Sequence, residues 1–109
     1  RVAEVSKLML ESGVVVSVAL VSPYPSDRET AASLFVESEF VEVFVDTPVD
    51  ICSERDPKGL YAKAAAGNLP NMTGVGQIYE PPVSPDLILR GTGDLEASAN
   101  LLVAAILEA

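Results

Sequence analysis

Histidine is absent from this 109-residue sequence, and Cys52 is its single cysteine. Such a chain lacks the usual donors of a catalytic zinc site, and it cannot form a Ser-His-Asp triad or a Cys-His pair. A single cysteine also excludes an internal disulfide and is typical of proteins in a reducing compartment. We therefore expect no metal site built on His or Cys, and a cytoplasmic location.

Basic residues are scarce, since 7 Lys and Arg stand against 16 Asp and Glu, for a formal net charge of −9. An acidic chain is repelled by phosphate backbones, so we expect no nucleic-acid partner. No apolar run reaches the roughly 18 residues that a membrane span needs, so we expect no membrane partner. The sequence starts at Arg1 without Met or an export signal, as a segment of a longer protein does.

Helix and strand patterns alternate along the sequence. With 49% hydrophobic residues, the composition predicts one packed unit over residues 1–109. A helical pattern ends at Gly13, and the β-branched run 14–21 predicts a strand buried on both faces. The further predicted elements are a helix at 26–38 opened by a Ser26–Glu29 capping box, a strand at 40–45, a helix from a Thr47 cap to Arg55, a helix at 59–66, a loop at 68–85, a strand at 87–89 and a helix at 95–107 capped by Asp94.

This alternation predicts an α/β fold of three layers, in which helices cover both faces of a parallel sheet. Ligands bind beyond the carboxyl ends of the strands in such sheets, which directs attention to residues 22–28, 46–47 and 91–94. In the first segment, Tyr24 offers a stacking face and Arg28 can bind an anion. The alternative is a plain turn followed by a helix on which Arg28 is solvated.

A cationic cluster lies in the sequence RDPKGLYAK at 55–63, which holds three of the seven basic residues. With Pro57 and Gly59 as pivots, it suits a flap that closes over phosphate or sulfate. The alternative is a solvated helix face whose charge is balanced by Glu54 and Asp56. Composition alone leaves both interpretations open.

Two further segments are weaker signals. The sequence NMTGVG at 71–76 either wraps a ligand with its backbone N–H groups or is a plain connection. Asp46 ends a predicted strand as a Walker B metal ligand does, but Thr47 and Pro48 make a helix cap the better interpretation. The sequence contains no G-x-x-x-x-G-K-[ST] phosphate-binding loop.

Several of these segments together resemble the carboxyl-terminal part of adenylylsulfate kinase (APS kinase). The segments that carry the resemblance are EVFVDTP at 42–48, CSERDPKGLYAKA at 52–64, NMTG at 71–74, Tyr79-Glu80 and PDLIL at 85–89, preceded in the family's order by RVAEVSKLM at 1–9, SPY at 22–24 and Asp27-Arg28. The resemblance extends over essentially all of the chain, and DPKGLY is its most specific part. It implies a P-loop NTPase-like fold whose first strand and P-loop are absent from this chain.

The resemblance also implies a reaction. Mg-ATP would donate a phosphoryl group to the 3′-hydroxyl of adenosine 5′-phosphosulfate (APS), giving 3′-phosphoadenylyl sulfate (PAPS) for sulfate assimilation. No catalytic residue or metal ligand is expected in this chain, because the P-loop, its lysine, the magnesium-binding hydroxyl and the segment that handles the acceptor hydroxyl would precede Arg1. The chain is therefore not expected to catalyse the reaction alone.

Site residues follow from the resemblance position by position. The implied APS-binding residues are Val21, Ser22, Lys58, Asn71 and Met72, the implied lid residues that neutralise phosphates are Arg55 and Lys63, and Gly93 and Asp94 border the ATP adenine. Met72 stands where the family usually has a phenylalanine that stacks on the APS adenine. A methionine thioether still covers a ring, with weaker stacking.

Two other functions stay open at this stage. One is a catalytically degenerate kinase-like domain used for nucleotide binding or regulation, which Met72 favours; the other is a small P-loop kinase that acts on another acceptor. A homodimer and a fusion to sulfate adenylyltransferase are both compatible with the sequence. Because a sheet without its first strand leaves apolar faces uncovered, we expect the chain alone to be poorly soluble or to depend on a partner copy.

Overall fold

A computed structural model describes residues 1–56, 58–67 and 78–108. The described elements are helices α1 (Val2–Glu11), α2 (Pro25–Ala32), α3 (Val49–Arg55), α4 (Leu60–Ala65) and α5 (Leu95–Glu108), strands β1 (Val43–Asp46) and β2 (Leu87–Arg90), and a 3-10 turn at Glu37–Glu39. None of the helices in these ranges combines the length and the apolar character that a membrane span requires. The candidate residues Asn71 and Met72 lie outside the described residues.

The sheet of the described chain consists of β1 and β2, which pair in parallel from Val43↔Leu87 to Asp46↔Arg90. Both strands are short apolar runs, which suit a pleated and partly buried surface. Helix α5 follows β2 and packs against it. These features confirm the predicted α/β class with a parallel sheet, although the strand predicted at 40–45 begins three residues later.

The strand predicted at 14–21 is wrong for the described chain, because these residues form neither strand nor helix. Val15 is 71% exposed and Leu20 62% exposed. A strand requires a hydrogen-bonded neighbour, and the described residues offer none to this run. The β-branched composition that prompted the prediction describes how side chains fit a sheet and does not supply the second strand.

No apolar side chain of the described residues is buried. Among them the one buried residue is Ser6, whose hydroxyl donates a 2.7 Å hydrogen bond to the Val2 carbonyl one turn earlier in α1. An open groove between α1 and residues 15–19 is lined mainly by apolar side chains, including Val5 and Met9. The expected exposure of apolar faces is therefore observed.

The helix boundaries correct two predicted caps. Helix α2 begins at Pro25 with Tyr24 as its N-cap, so Ser26 lies inside the first turn and no Ser26–Glu29 capping box forms. Proline suits the first helical position because its φ is fixed near the helical value. The helix also ends at Ala32, well before the predicted residue 38.

At α3 the N-cap is Pro48, and the Thr47 side chain does not cap the helix. Two other predicted ends are confirmed. Gly13 follows α1 with φ of 97°, in the left-handed region where glycine has no Cβ penalty. The Asp94 carboxylate accepts a 3.3 Å hydrogen bond from the Ala97 amide at the start of α5.

Candidate functional site

The turn at Ser22 has an unusual backbone. Its φ is 44°, in the left-handed region that costs a residue with a Cβ roughly 1–2 kcal/mol. The carbonyl of Ser22 accepts a 2.5 Å hydrogen bond from Arg28 Nη1, a residue of α2. The preceding residue Val21 is exposed. The hydrogen bond from Arg28 thus binds a residue whose backbone conformation serine does not favour.

Arg28 joins the Ser22 turn to two distant parts of the chain. Its Nη2 donates a 2.7 Å hydrogen bond to the Glu80 carbonyl, and its Nε lies 3.9 Å from Glu42 Oε2. The guanidinium carbon lies 5.8 Å from the centre of the Tyr79 ring. We call Ser22, Arg28, Glu42, Tyr79 and Glu80 the Arg28 junction.

The Arg28 side chain is only 11% exposed. It is therefore neither the solvated helix residue nor the free anion ligand that the sequence suggested. The hydrogen-bond partners of Arg28 could not be predicted from the sequence. Two of them are backbone carbonyls, which every residue has, so no residue type indicates them.

A second arrangement is the turn between α3 and α4, which Asp56 organises. Asp56 has φ of 21°, and its amide donates a 3.0 Å hydrogen bond to the Cys52 carbonyl at the end of α3. Its carboxylate oxygens accept hydrogen bonds from the amides of Tyr61 at 3.0 Å and Ala62 at 3.1 Å. Asp56 thus ends one helix and caps the next, so its carboxylate is not simply a counter-charge for the basic cluster. The D-x-x-G spacing of Asp56 and Gly59 is a signal for the turn itself, whereas the bonds to the Tyr61 and Ala62 amides leave no spacing signal.

The three basic residues of the cationic cluster, Arg55, Lys58 and Lys63, lie at the end of α3, in the turn and in the last turn of α4, respectively. All three are exposed. Within the described ranges no carboxylate lies within 4.0 Å of any of them, whereas Arg28 and Arg90 both have acidic neighbours. A cluster of uncompensated cations in a chain of net charge −9 is suited to binding an anion.

Tyr61 lies beside this turn and is half-buried. Burial raises the pKa of its phenol, and the neighbouring Cys52 thiol and Asp56 carboxylate raise it further because they disfavour the phenolate. The phenol of Tyr61 therefore keeps its proton to higher pH than a free tyrosine does.

The carboxyl ends of β1 and β2 meet, as expected for parallel strands. Asp46 forms an ion pair with Arg90 at the last position of the register, and the Gly91 amide donates a 3.2 Å hydrogen bond to the Asp46 carbonyl. A Cβ on Gly91 would lie 1.5 Å from Thr47 Oγ1, so this crossing requires glycine. Two of the three predicted strand-end segments are thereby brought together.

Gly93 and Asp94 follow directly in the turn that leads to α5 and are exposed. The Gly93 amide donates a 3.0 Å hydrogen bond to the Arg90 carbonyl, which fixes this turn to the end of β2. No hydrogen bond or ion pair of the described residues joins Ser22 or Arg28 to Asp46 or Arg90. No group of three or more His, Cys, Asp or Glu in the described part of the chain could hold a metal ion.

Comparison with protein families matches residues 1–90 to the adenylylsulphate kinase family. The adenylyl-sulfate kinase of Yersinia pestis is 52% identical over 91 residues, which are 84% of this chain and 43% of that protein. The bifunctional enzyme NodQ of Rhizobium meliloti (strain 1021) is 53% identical over 93 residues, which are 85% of this chain and 14% of that protein. The chain thus spans less than half the length of these curated relatives.

Solved structures agree with the sequence matches. The structure of the Mycobacterium tuberculosis APS kinase CysC in complex with AMPPNP and APS superposes with a TM-score of 0.92 at 36% identity, covering 97% of this chain and 62% of that chain. The crystal structure of APE1195 gives a TM-score of 0.79 at 35% identity over the same shares. The described fold is therefore that of these structures, and it accounts for part of their length.

Proposed function

Because this chain belongs to the adenylylsulphate kinase family, we propose that the protein carrying it transfers the γ-phosphoryl group of Mg-ATP to the 3′-hydroxyl of APS. The products are ADP and PAPS, the activated sulfate used in sulfate assimilation. The observation that carries the proposal is the close superposition on a kinase solved with AMPPNP and APS, over nearly the whole of this chain.

In this proposal the chain supplies the APS side of the site. Lys58 contacts the phosphosulfate anion, and its exposure without a described acidic partner supports this role. Val21 and Ser22 contact APS at the turn that Arg28 holds. Asn71 and Met72 cover the adenine, a role that rests on the family resemblance alone.

Arg55 and Lys63 act as lid residues that neutralise phosphate charge. Phosphoryl transfer depends on positioning and on compensation of the negative charge that spreads over the transferred group. A pair of exposed cations on adjacent helices is suited to this task, because neither is paired with a carboxylate of the described residues. Removal of such a charge typically lowers the rate by about 10²–10³-fold where the contact strengthens in the transition state.

Gly93 and Asp94 border the ATP adenine in this proposal, at the turn tied to β2. When bound, magnesium would supply positive charge that offsets the charge of the ATP phosphates. In this proposal no residue of this chain is assigned to the metal.

We further propose that residues 1–109 are part of one kinase domain. Relatives named bifunctional enzyme NodQ support a fusion to a second enzyme, and sulfate adenylyltransferase is a fusion partner compatible with the sequence. A homodimer, a cytoplasmic location and the absence of nucleic-acid and membrane partners stay predictions of the sequence.

The test is an acceptor panel with the full-length gene product that carries this chain. With ATP and magnesium, we expect ADP release that depends on APS, and a product phosphorylated at the 3′-position by phosphorus NMR and mass spectrometry. Adenosine 5′-monophosphate, sugars and other nucleosides serve as control acceptors. Turnover of another acceptor without APS turnover would refute the proposal, as would tight APS binding without any turnover.

A further inference from the structure

Ser22 is the one residue of the Arg28 junction that the proposed function places against APS, and Arg28 itself has no assigned role there. We propose that Arg28 is a positioning residue for the acceptor side of the site, which fixes the backbone of Ser22 and ties it to Glu80 without itself binding the substrate. This proposal rests on the proposed function, because it treats Ser22 as an APS contact.

The first observation is the pair of hydrogen bonds made by the guanidinium. Nη1 donates to the Ser22 carbonyl at 2.5 Å and Nη2 to the Glu80 carbonyl at 2.7 Å. A guanidinium presents its donors in a rigid planar fork, so two carbonyls bound to one fork are held at a fixed separation. A lysine ammonium is a point charge on a flexible stem and does not impose that separation.

The second observation is that the charge of Arg28 is already accommodated within the protein. Glu42 lies 3.9 Å from Nε, and the ring of Tyr79 lies below the guanidinium carbon at 5.8 Å. With 11% of the side chain exposed, little of the cation is open to a ligand. These contacts indicate a structural clamp and argue against a direct contact between Arg28 and a substrate anion.

The third observation is that Glu80 is bound to the same turn twice. Its amide donates a 2.9 Å hydrogen bond to the Pro23 carbonyl, and its carbonyl accepts from Arg28. The neighbouring Tyr79 ring stacks on Phe44 of β1, with centres 6.1 Å apart and planes at 17°. Residues 79–80 are thereby anchored between the Ser22 turn and the sheet.

The consequence concerns the APS side of the site. Arg28 binds the Ser22 carbonyl, whose residue has a left-handed backbone, and ties this turn to residues 79–80. Loss of the clamp therefore weakens recognition of APS, while the nucleotide side at Gly93 and Asp94 shares no described hydrogen bond with it.

The experiment compares Arg28→Lys and Arg28→Ala in the full-length gene product. We expect both variants to raise the KM for APS by about ten-fold or more while the KM for ATP stays within about two-fold of the wild-type value. Arg1→Lys is the matched control, because Arg1 is exposed and makes no side-chain hydrogen bond with a described residue. The melting temperature is measured for every variant.

A second readout needs no substrate. Hydrogen exchange of the Glu80 amide should accelerate about ten-fold in both Arg28 variants, because its bond to Pro23 depends on the clamp. Unchanged exchange would overturn the proposal. So would accelerated exchange with a normal KM for APS, or a lysine variant with wild-type kinetics, since charge alone would then suffice.

Two other results are equally decisive. An equal rise of both KM values together with a lower melting temperature would mark Arg28 as a general stability residue and overturn the proposal. A wild-type protein that does not use APS would refute the proposed function and the substrate half of this inference with it. The exchange result would then still decide separately whether Arg28 anchors Glu80 to the Ser22 turn.

Discussion

Residues 14–21 and the β1–β2 pair are both rich in branched apolar side chains, yet they differ in what surrounds them. Val43–Asp46 and Leu87–Arg90 satisfy each other's backbone groups in a parallel register, and α5 packs against β2. Residues 14–21 have no described strand beside them and leave most of their side chains exposed. The difference teaches that a branched apolar run forms a strand in this chain only where another strand pairs with it.

The largest expected effect is the loss of a stable fold when the chain is expressed without the rest of the protein. Expressed alone, the 109 residues should fail to unfold cooperatively, should bind the dye ANS and should be poorly soluble, because no described apolar side chain is buried. The full-length gene product should show one cooperative transition and little dye binding. Sharp cooperative melting of the isolated chain as a monomer, followed by circular dichroism and analytical ultracentrifugation, would contradict this expectation.

The next effect tests the end of the β1–β2 pair. Gly91→Ala places a methyl group against Thr47 Oγ1, so we expect a loss of about 1–3 kcal/mol in the free energy of unfolding of the full-length protein. Gly93→Ala is the comparison, since its Cβ would come no closer than 3.3 Å to a described atom, the Arg90 carbonyl oxygen. Denaturant titration should give a clearly larger loss for Gly91. Equal losses would mean that the close approach to Thr47 is relieved by a small shift.

A smaller effect is expected at Asp56. Asp56→Ala removes the acceptor of two α4 amides, and loss of a helix cap costs about 0.5–2 kcal/mol. The KM for APS should also rise, because Lys58 lies in the turn that this carboxylate organises. Asp56→Asn retains one acceptor oxygen and should be intermediate. Glu54→Ala removes a neighbouring exposed carboxylate that caps no described helix. If it changed the free energy of unfolding and the KM for APS as much as Asp56→Ala does, the effect of Asp56 would come from its charge and not from capping.

The smallest effect concerns pH. Because burial raises the pKa of Tyr61 in the folded protein, the folded state holds its proton to higher pH than the unfolded chain does. The free energy of unfolding should therefore fall as pH rises from the unfolded tyrosine pKa, near 10, to the higher folded value. Tyr61→Phe should remove this contribution and flatten the profile above about pH 10. If the free energy of unfolding of the wild-type protein and of Tyr61→Phe changed equally with pH, Tyr61 would titrate in the folded protein as it does in the unfolded chain.

The sequence predicted what depends on neighbouring residues and missed what depends on distant backbone. Gly13 and Asp94 were identified as helix signals because glycine conformation and Asp capping are local properties. The strand at 14–21 was wrong because pairing depends on residues outside the run. Within the candidate site, the cationic cluster was visible in composition, whereas the contact of Arg28 with the Glu80 carbonyl has no sequence signature.

The central claim is that this chain supplies the APS side of an adenylylsulphate kinase site, with Lys58 as its anion contact. The most direct test is steady-state kinetics of the full-length gene product as wild type and as Lys58→Ala, with Lys7→Ala as a control on exposed helix α1. We expect Lys58→Ala to raise the KM for APS at least about ten-fold with little change in the KM for ATP, and Lys7→Ala to behave as wild type. A Lys58→Ala enzyme whose KM for APS is unchanged would contradict the claim.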